Sequence, residues 1–156
     1  MSTKAQIFST DFIVASSIFI LLSAIVYSLW LSRAYSIEES NELGNLIDSA
    51  YMSSNVWLRE GVPKYWNEEN IIDLGLQNNH RLNRTKLEML NKLGYERVKD
   101  LAGLRDYDFF MRIYNKNNQT LFEFGKMSEA KNIVKVKRIS MLDSEIVLID
   151  TIVWSR

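Results

Sequence analysis

The longest feature of the hydrophobic pattern is an uncharged run from Phe12 to Ser32, close to the start of the chain. Its 21 residues correspond to about 31 Å of α-helix, and the hydrocarbon core of a bilayer is about 30 Å thick. Tyr27 and Trp30 stand near the far end of the run, where amphipathic aromatic side chains favour the membrane interface. The pattern therefore predicts one membrane-spanning helix.

The apolar spacing indicates that this helix continues beyond the span. Four apolar residues recur at spacings compatible with one helical face: Leu43, Ile47, Ala50 and Trp57. Gly61 and Pro63 follow them, which is a typical signal for the end of a helix. We expect one helix from about Gln6 to Glu60, with residues 6–32 in the membrane and residues 33–60 forming an amphipathic continuation.

Shorter elements open the domain predicted for residues 61–156. The segment Ile71–Leu76 has the composition of a short strand. The segment Leu82–Leu87 opens a helix that stops at Gly94, and its buried side is formed by three residues: Leu87, Leu90 and Leu93. A second short helix is predicted from Tyr95 to Leu104, with three residues facing the core: Val98, Leu101 and Ala102.

The last third of the chain alternates as strands do. Four strands are predicted: Tyr107–Tyr114, Thr120–Phe124, Ile133–Leu142 and Ile146–Trp154. Lys135 and Lys137 should face solvent, and the alternation slips near Arg138, which indicates a β-bulge there. A four-stranded antiparallel sheet needs cover on its apolar face, and the amphipathic part of the long helix can supply it. The predicted fold class is therefore α+β, with a long N-terminal helix on a small antiparallel sheet.

Composition and charge exclude several classes of function. The chain carries 19 basic and 19 acidic residues, and 18 of each remain outside residues 1–32, so we expect no nucleic-acid binding, which needs a basic surplus. The sequence contains no cysteine, no nucleophile elbow and no glycine-rich phosphate loop. His80 is the only histidine, and Glu68, Glu69 and Asp73 lack the spacing of a calcium loop. We therefore expect no enzymatic activity, no cofactor and no metal site.

The residues before the apolar run carry a recognisable pattern. Lys4, Ala5 and Gln6 place a basic, a small and an amide residue ahead of Ser9, Thr10 and Asp11. This order resembles the class III signal peptide of archaeal type IV pilins and pilin-like proteins. The resemblance implies that residues 1–5 form a leader, which a prepilin peptidase removes between Ala5 and Gln6. It also implies that residues 6–32 become the core of a filament, which an assembly ATPase and a membrane platform protein build from many pilin subunits.

Asp11 is a carboxylate at the edge of an apolar helix, a position that usually has a partner or a function. One interpretation is that it pairs with the α-amino group exposed on Gln6 of a neighbouring subunit after cleavage. Attraction between such charges 4 Å apart is about 4 kcal/mol at an effective dielectric constant near 20, before desolvation. The other interpretation is that Asp11 reaches the lipid headgroups or caps the helix start together with Ser9 and Thr10.

Two sequons are potential sites of N-glycosylation. They begin at Asn83 and Asn118, and each has threonine at its third position. Both fall where the pattern predicts loops, as this modification requires. Glycosylation of archaeal pilins is common, so the resemblance supports the same expectation.

The resemblance implies a structural subunit of a type IV pilus-like surface filament, with its C-terminal domain outside the cell for adhesion or contacts between subunits. The size of that domain favours a minor subunit. Two alternatives remain at this point: an extracytoplasmic binding domain held by an uncleaved signal anchor, and a pseudopilin of a secretion or DNA-uptake machine.

Overall fold

The computed structural model describes residues 3–155, and it describes side chains for residues 10–155 except residue 39. The chain forms two compact units, Met1–Glu42 and Leu43–Arg156. Helix α1, Thr3–Val56, contributes residues to both units. The first unit contains the uncharged run, and the second contains the rest of the helix and all the strands.

Helix α1 ends earlier than the sequence predicts. Its last residue is Val56 rather than Glu60. The amide of Leu58 donates to the Asn55 carbonyl and that of Arg59 to the Val56 carbonyl, so the chain tightens into turns with hydrogen bonds three residues apart. The Arg59 carbonyl then accepts a hydrogen bond from the Gln77 amide, which draws the backbone away from the helix before Gly61.

The buried stripe of α1 also differs from the predicted face. Ala50 and Trp57 are buried as expected, together with Leu46. Leu43 and Ile47 are exposed instead. Ile47 follows the buried Leu46 directly, so it points about 100° away around the helix, and Leu43 lies at the very start of the second unit.

The predicted strand Ile71–Leu76 is not formed. Regular pairing here is limited to an isolated bridge between Val62 and Asp73, and the short strands β1, Gln77–Asn78, and β2, Arg81–Leu82, follow as a hairpin. Leu74 and Leu76 are nevertheless fully buried. The apolar residues therefore fill the core from irregular backbone, a case that hydrophobicity alone does not distinguish from a strand.

The two short helices are close to their predicted positions. Helix α2 is Arg84–Leu93, capped by Asn83, and it buries the predicted leucines. Helix α3 is Tyr95–Leu101 and ends three residues earlier than expected. Gly103 follows with φ of +75°, a left-handed conformation that ends helices and that glycine adopts without strain.

The four predicted strands form one antiparallel sheet. They are β3, Tyr107–Asn115; β4, Thr120–Gly125; β5, Ile133–Leu142; and β6, Glu145–Ser155. Their order across the sheet is β4-β3-β6-β5. The central strands β3 and β6 pair without a break from Tyr107 with Ser155 to Asn115 with Val147, so the sheet is held by its two most apolar strands.

The predicted bulge near Arg138 is absent. Strands β5 and β6 pair in unbroken register, and the irregularity in the sheet lies between β3 and β4, at Ile113 and Tyr114. Arg138 pairs with the buried Ile149, and its guanidinium donates to Ser54 Oγ at 3.2 Å and Asn55 Oδ1 at 3.0 Å. The alternation slips because Arg138, a charged residue, lies on the face of the sheet that packs against α1, where it donates hydrogen bonds to side chains in the last turn of that helix.

One face of the sheet carries the core of the second unit. Residues Phe109, Met111 and Ile113 of β3 are fully buried there. The Trp57 ring stacks on Phe109 with centroids 5.7 Å apart, and the end of α1 thereby covers this face. The observed fold is α+β, with a long N-terminal helix and antiparallel sheets.

Candidate functional site

The apolar part of α1 exposes its side chains throughout. Large apolar residues between Phe12 and Leu31 are 37–72% exposed. One helix, near the N-terminus, is long and apolar enough to cross a membrane by length and composition among the residues described. The Ser17 hydroxyl donates to the Ile13 carbonyl at 2.8 Å, so this polar group is satisfied within the helix and is compatible with an apolar environment.

The predicted processing and pairing residues lie at the start of α1. The backbone of Lys4, Ala5 and Gln6 is helical, but their side chains lie outside the described set. Asp11 is exposed. Because α1 begins at Thr3, Asp11 lies two turns inside the helix rather than at its first turn.

The two sequon asparagines occupy different environments. Asn83 is half-buried at the N-cap of α2, where its Oδ1 accepts a hydrogen bond from the Lys86 amide at 3.1 Å. This acceptor satisfies one of the unpaired amides of the first helical turn. Asn118 is exposed in the β3–β4 turn with φ of +62°. Asn118 thus lies in a loop as predicted, whereas Asn83 marks the boundary of a helix.

The outer face of the sheet, opposite α1, holds a buried carboxylate among cations. Asp150 of β6 is 1% exposed, and Lys135 Nζ lies 2.6 Å from its Oδ2. Lys137 Nζ is 4.0 Å and Arg112 Nη2 3.8 Å from the carboxylate oxygens. The Tyr114 hydroxyl donates to Oδ1 at 3.2 Å. Hydrogen bonding with the Tyr114 hydroxyl, and then the Asp150 charge, raises the pKa of Lys137.

This arrangement is a cross-strand ion row, because Lys137, Asp150 and Arg112 are successive partners across β5, β6 and β3. Glu123 of β4 extends the row opposite Arg112. Opposite charges on facing strands stabilise a sheet. The exposure of Lys135 and Lys137 is as predicted, but Asp150 lies in an apolar strand and sequence reasoning gave it no partner.

A cavity of about 340 Å³ lies beside the β1–β2 hairpin and the start of α2. Six of its lining residues carry aromatic, amide or ammonium groups: Tyr65, Trp66, Asn67, Asn78, Asn83 and Lys86. The buried Trp66 indole N–H donates to the Gly75 carbonyl at 2.8 Å. The lining comes from three segments that only the fold brings together, so no pattern in the sequence predicts this cavity.

Lys86 connects the wall of the cavity to the segment that follows α1. Its ammonium donates to the Glu60 carbonyl and, at 3.0 Å, to the Gln77 carbonyl. Burial lowers the pKa of Lys86. Hydrogen bonding from the Asn79 amide, at 2.8 Å, lowers the pKa of the nearby Glu60 carboxyl. Lys86 lies four residues before the buried Leu90, and this helical spacing places both side chains on the inward face of α2.

The residues considered for catalysis or metal binding are not assembled into a site. His80 is exposed in the β1–β2 turn with φ of +62°. Among the side chains that the structure describes, those of residues 10–155 except residue 39, no group of three or more histidine, aspartate or glutamate residues is placed to hold a metal ion.

Comparison with known proteins identifies no relative. No family model matches the chain, and no curated protein or solved structure matches it.

Proposed function

We propose that this chain is a minor structural subunit of an archaeal type IV pilus-like surface filament. The observation that carries the proposal is the exposed apolar part of α1. A helix that is apolar on all sides is stable where apolar groups surround it. Lipid provides that environment before assembly, and a bundle of identical helices provides it afterwards through van der Waals contacts.

The residues at the N-terminus add a route into a filament. Lys4, Ala5 and Gln6 have the order of a prepilin cleavage site, and Asp11 follows at the edge of the apolar run. Removal of the leader by a prepilin peptidase gives Gln6 a free α-amino group, which pairs with Asp11 of a neighbouring subunit. An assembly ATPase and a membrane platform protein are the partners that the resemblance implies. The subunit resides in the cell membrane with its C-terminal domain outside, or in the extracellular filament.

The deciding experiment is the N-terminal mass of the protein from its native membrane, with and without the prepilin peptidase. The proposal predicts a chain that begins at Gln6 only when the peptidase is present. Ala5→Leu should block cleavage, and Ala34→Leu is a matched control beyond the span. A chain that retains Lys4 and Ala5 in both membranes would make this a signal-anchored domain and overturn the filament assignment.

A second experiment addresses assembly. Asp11→Asn should reduce the amount of the subunit in sheared surface filaments, because it removes the charge that pairs with Gln6. Asp48→Asn is a matched control, since Asp48 is an exposed acid on the same helix. Equal loss for both variants, or for neither, would contradict the pairing. Cleaved subunit that never enters sheared filaments would indicate the pseudopilin alternative.

A further inference from the structure

The cavity beside Tyr65 has the composition of a site for a neutral ligand. Its volume of about 340 Å³ falls within the range of small-molecule sites, roughly 300–1,000 Å³. No carboxylate is among its lining residues in the part of the chain that the structure describes. The one cationic side chain in its wall, Lys86, is buried and already donates to two backbone carbonyls. Lys86 is therefore not available to neutralise an anionic ligand.

The other polar groups in the wall are the Thr85 hydroxyl and three amides, of which Asn67 Oδ1 and Asn83 Oδ1 already accept hydrogen bonds from backbone amides. Asn67, Asn78 and Asn83 line the cavity, and an amide offers both donors and acceptors. Asn78 Oδ1 is buried and accepts no hydrogen bond from the groups described in residues 10–155. A buried acceptor without a donor costs about 1–3 kcal/mol, so a ligand that brings a donor to this atom gains what the free protein lacks.

The apolar groups in the wall are Met89 and two aromatic side chains. Tyr65 is 76% exposed and lines the cavity, so its ring face is available to a ligand. Trp66 also lines the cavity, but it is buried, its N–H donates to the Gly75 carbonyl, and Lys86 Nζ lies 5.9 Å from the centroid of its ring. An aromatic face beside amide groups suits a ring that has C–H groups on its faces and hydroxyls on its rim.

We propose that this cavity binds a neutral saccharide, with the sugar ring stacked on Tyr65 and a hydroxyl donating to Asn78 Oδ1. The proposal goes beyond the filament function and does not depend on it. Two sources supply the same chemistry. One is a glycan on another molecule. The other is a glycan on this chain, because Asn83 and Thr85, the two recognition residues of one sequon, both line the cavity.

The first test measures binding to the full chain made in a host without N-glycosylation. The chain is held in amine-oxide detergent micelles, because maltoside detergents carry saccharide headgroups. The probes are methyl glycosides of mannose, glucose, galactose and N-acetylglucosamine, followed by saturation-transfer NMR and titration. Tyr65→Ala should weaken binding roughly three- to tenfold. Tyr65→Phe should retain it, and Tyr51→Ala, an exposed tyrosine that does not line the cavity, should leave it unchanged.

A substitution at Asn78 adds a readout that general damage to the fold does not imitate. Asn78→Ala removes the unpaired acceptor, so saccharide binding should fall while the free chain keeps its stability or gains some. Absence of binding by every neutral glycoside, binding that is unchanged in Tyr65→Ala, or binding of sialylated glycans alone would each overturn the proposal.

The second test separates the two sources by comparing native glycosylated chain with Asn83→Asp. Aspartate keeps the N-cap acceptor but cannot carry the glycan. If the chain's own glycan fills the cavity, glycoside binding is lost in the native chain and restored in the variant. If the saccharide comes from another molecule, both forms bind equally. Each result supports the site and assigns its source.

Discussion

The hydrogen bond between Trp57 and Thr151 joins the end of α1 to the centre of the sheet, and a double-mutant cycle can measure it. The indole N–H donates to Thr151 Oγ1 at 3.0 Å, and both residues are fully buried. Thr151→Val keeps the side-chain shape but leaves the indole donor unpaired, which costs about 1–3 kcal/mol. Trp57→Phe loses the same bond and also leaves a cavity, so it should cost more.

The double variant should cost less than the sum of the two by about 1 kcal/mol, because the bond can be lost only once. The measurement is the free energy of unfolding in urea of the full chain in micelles, followed by near-ultraviolet circular dichroism. Thr120→Val is the control, since Thr120 is exposed on β4 and should change stability by less than about 0.5 kcal/mol. Additive costs would show that this bond does not couple helix and sheet.

Three further predictions concern the second unit. Asp150→Asn should lower the free energy of unfolding by about 1–3 kcal/mol, because three cations then face each other without the carboxylate. This loss of stability should be smaller in high salt, and a loss that does not depend on salt would contradict the reasoning. Burial raises the pKa of Tyr95 to about 12. The unfolded chain therefore loses this proton first, and the free energy of unfolding should fall between pH 10 and pH 12. Unfolding measured against pH should show a smaller fall in Tyr95→Phe, and parallel curves for the two proteins would argue against this cause. A methyl group on Gly75 would lie 2.5 Å from the Arg59 carbonyl oxygen, so Gly75→Ala should destabilise the protein by about 2 kcal/mol or more. Gly44 lies on a helix with open space around it, so Gly44→Ala should stabilise the protein by up to about 1 kcal/mol. Equal melting temperatures for the two variants would refute this.

Regular elements were predictable because their patterns are local. The apolar run of α1, the leucine side of α2 and the alternation of β3 each show one period over many residues. The errors occur where tertiary contacts override the pattern. Arg138 breaks the alternation of β5 without a bulge because it bonds to Ser54 and Asn55, residues more than 80 positions earlier.

The candidate sites were less predictable than the fold. Asp150 acquires its partners from strands on both sides, and the cavity combines Tyr65, Asn78 and Asn83 from separate segments. No spacing within one element encodes such groupings. The N-terminal pattern around Ala5 and Gln6 is different, because it lies within one short run of the sequence. The cleavage that it predicts stays a prediction until the N-terminal mass is measured.

The open edge of β5 has a consequence for behaviour at high concentration. Strand β5 ends the sheet, and the β1–β2 hairpin contacts it at Ser140, where Gln77 Nε2 donates to Ser140 Oγ at 2.9 Å. Exposed edges invite aggregation through added strands. If two copies paired antiparallel about Val136, Lys135 of one would face Lys137 of the other. Like charges opposite each other disfavour such pairing. The lysines that neutralise Asp150 therefore also disfavour edge-to-edge association of two sheets at high protein concentration.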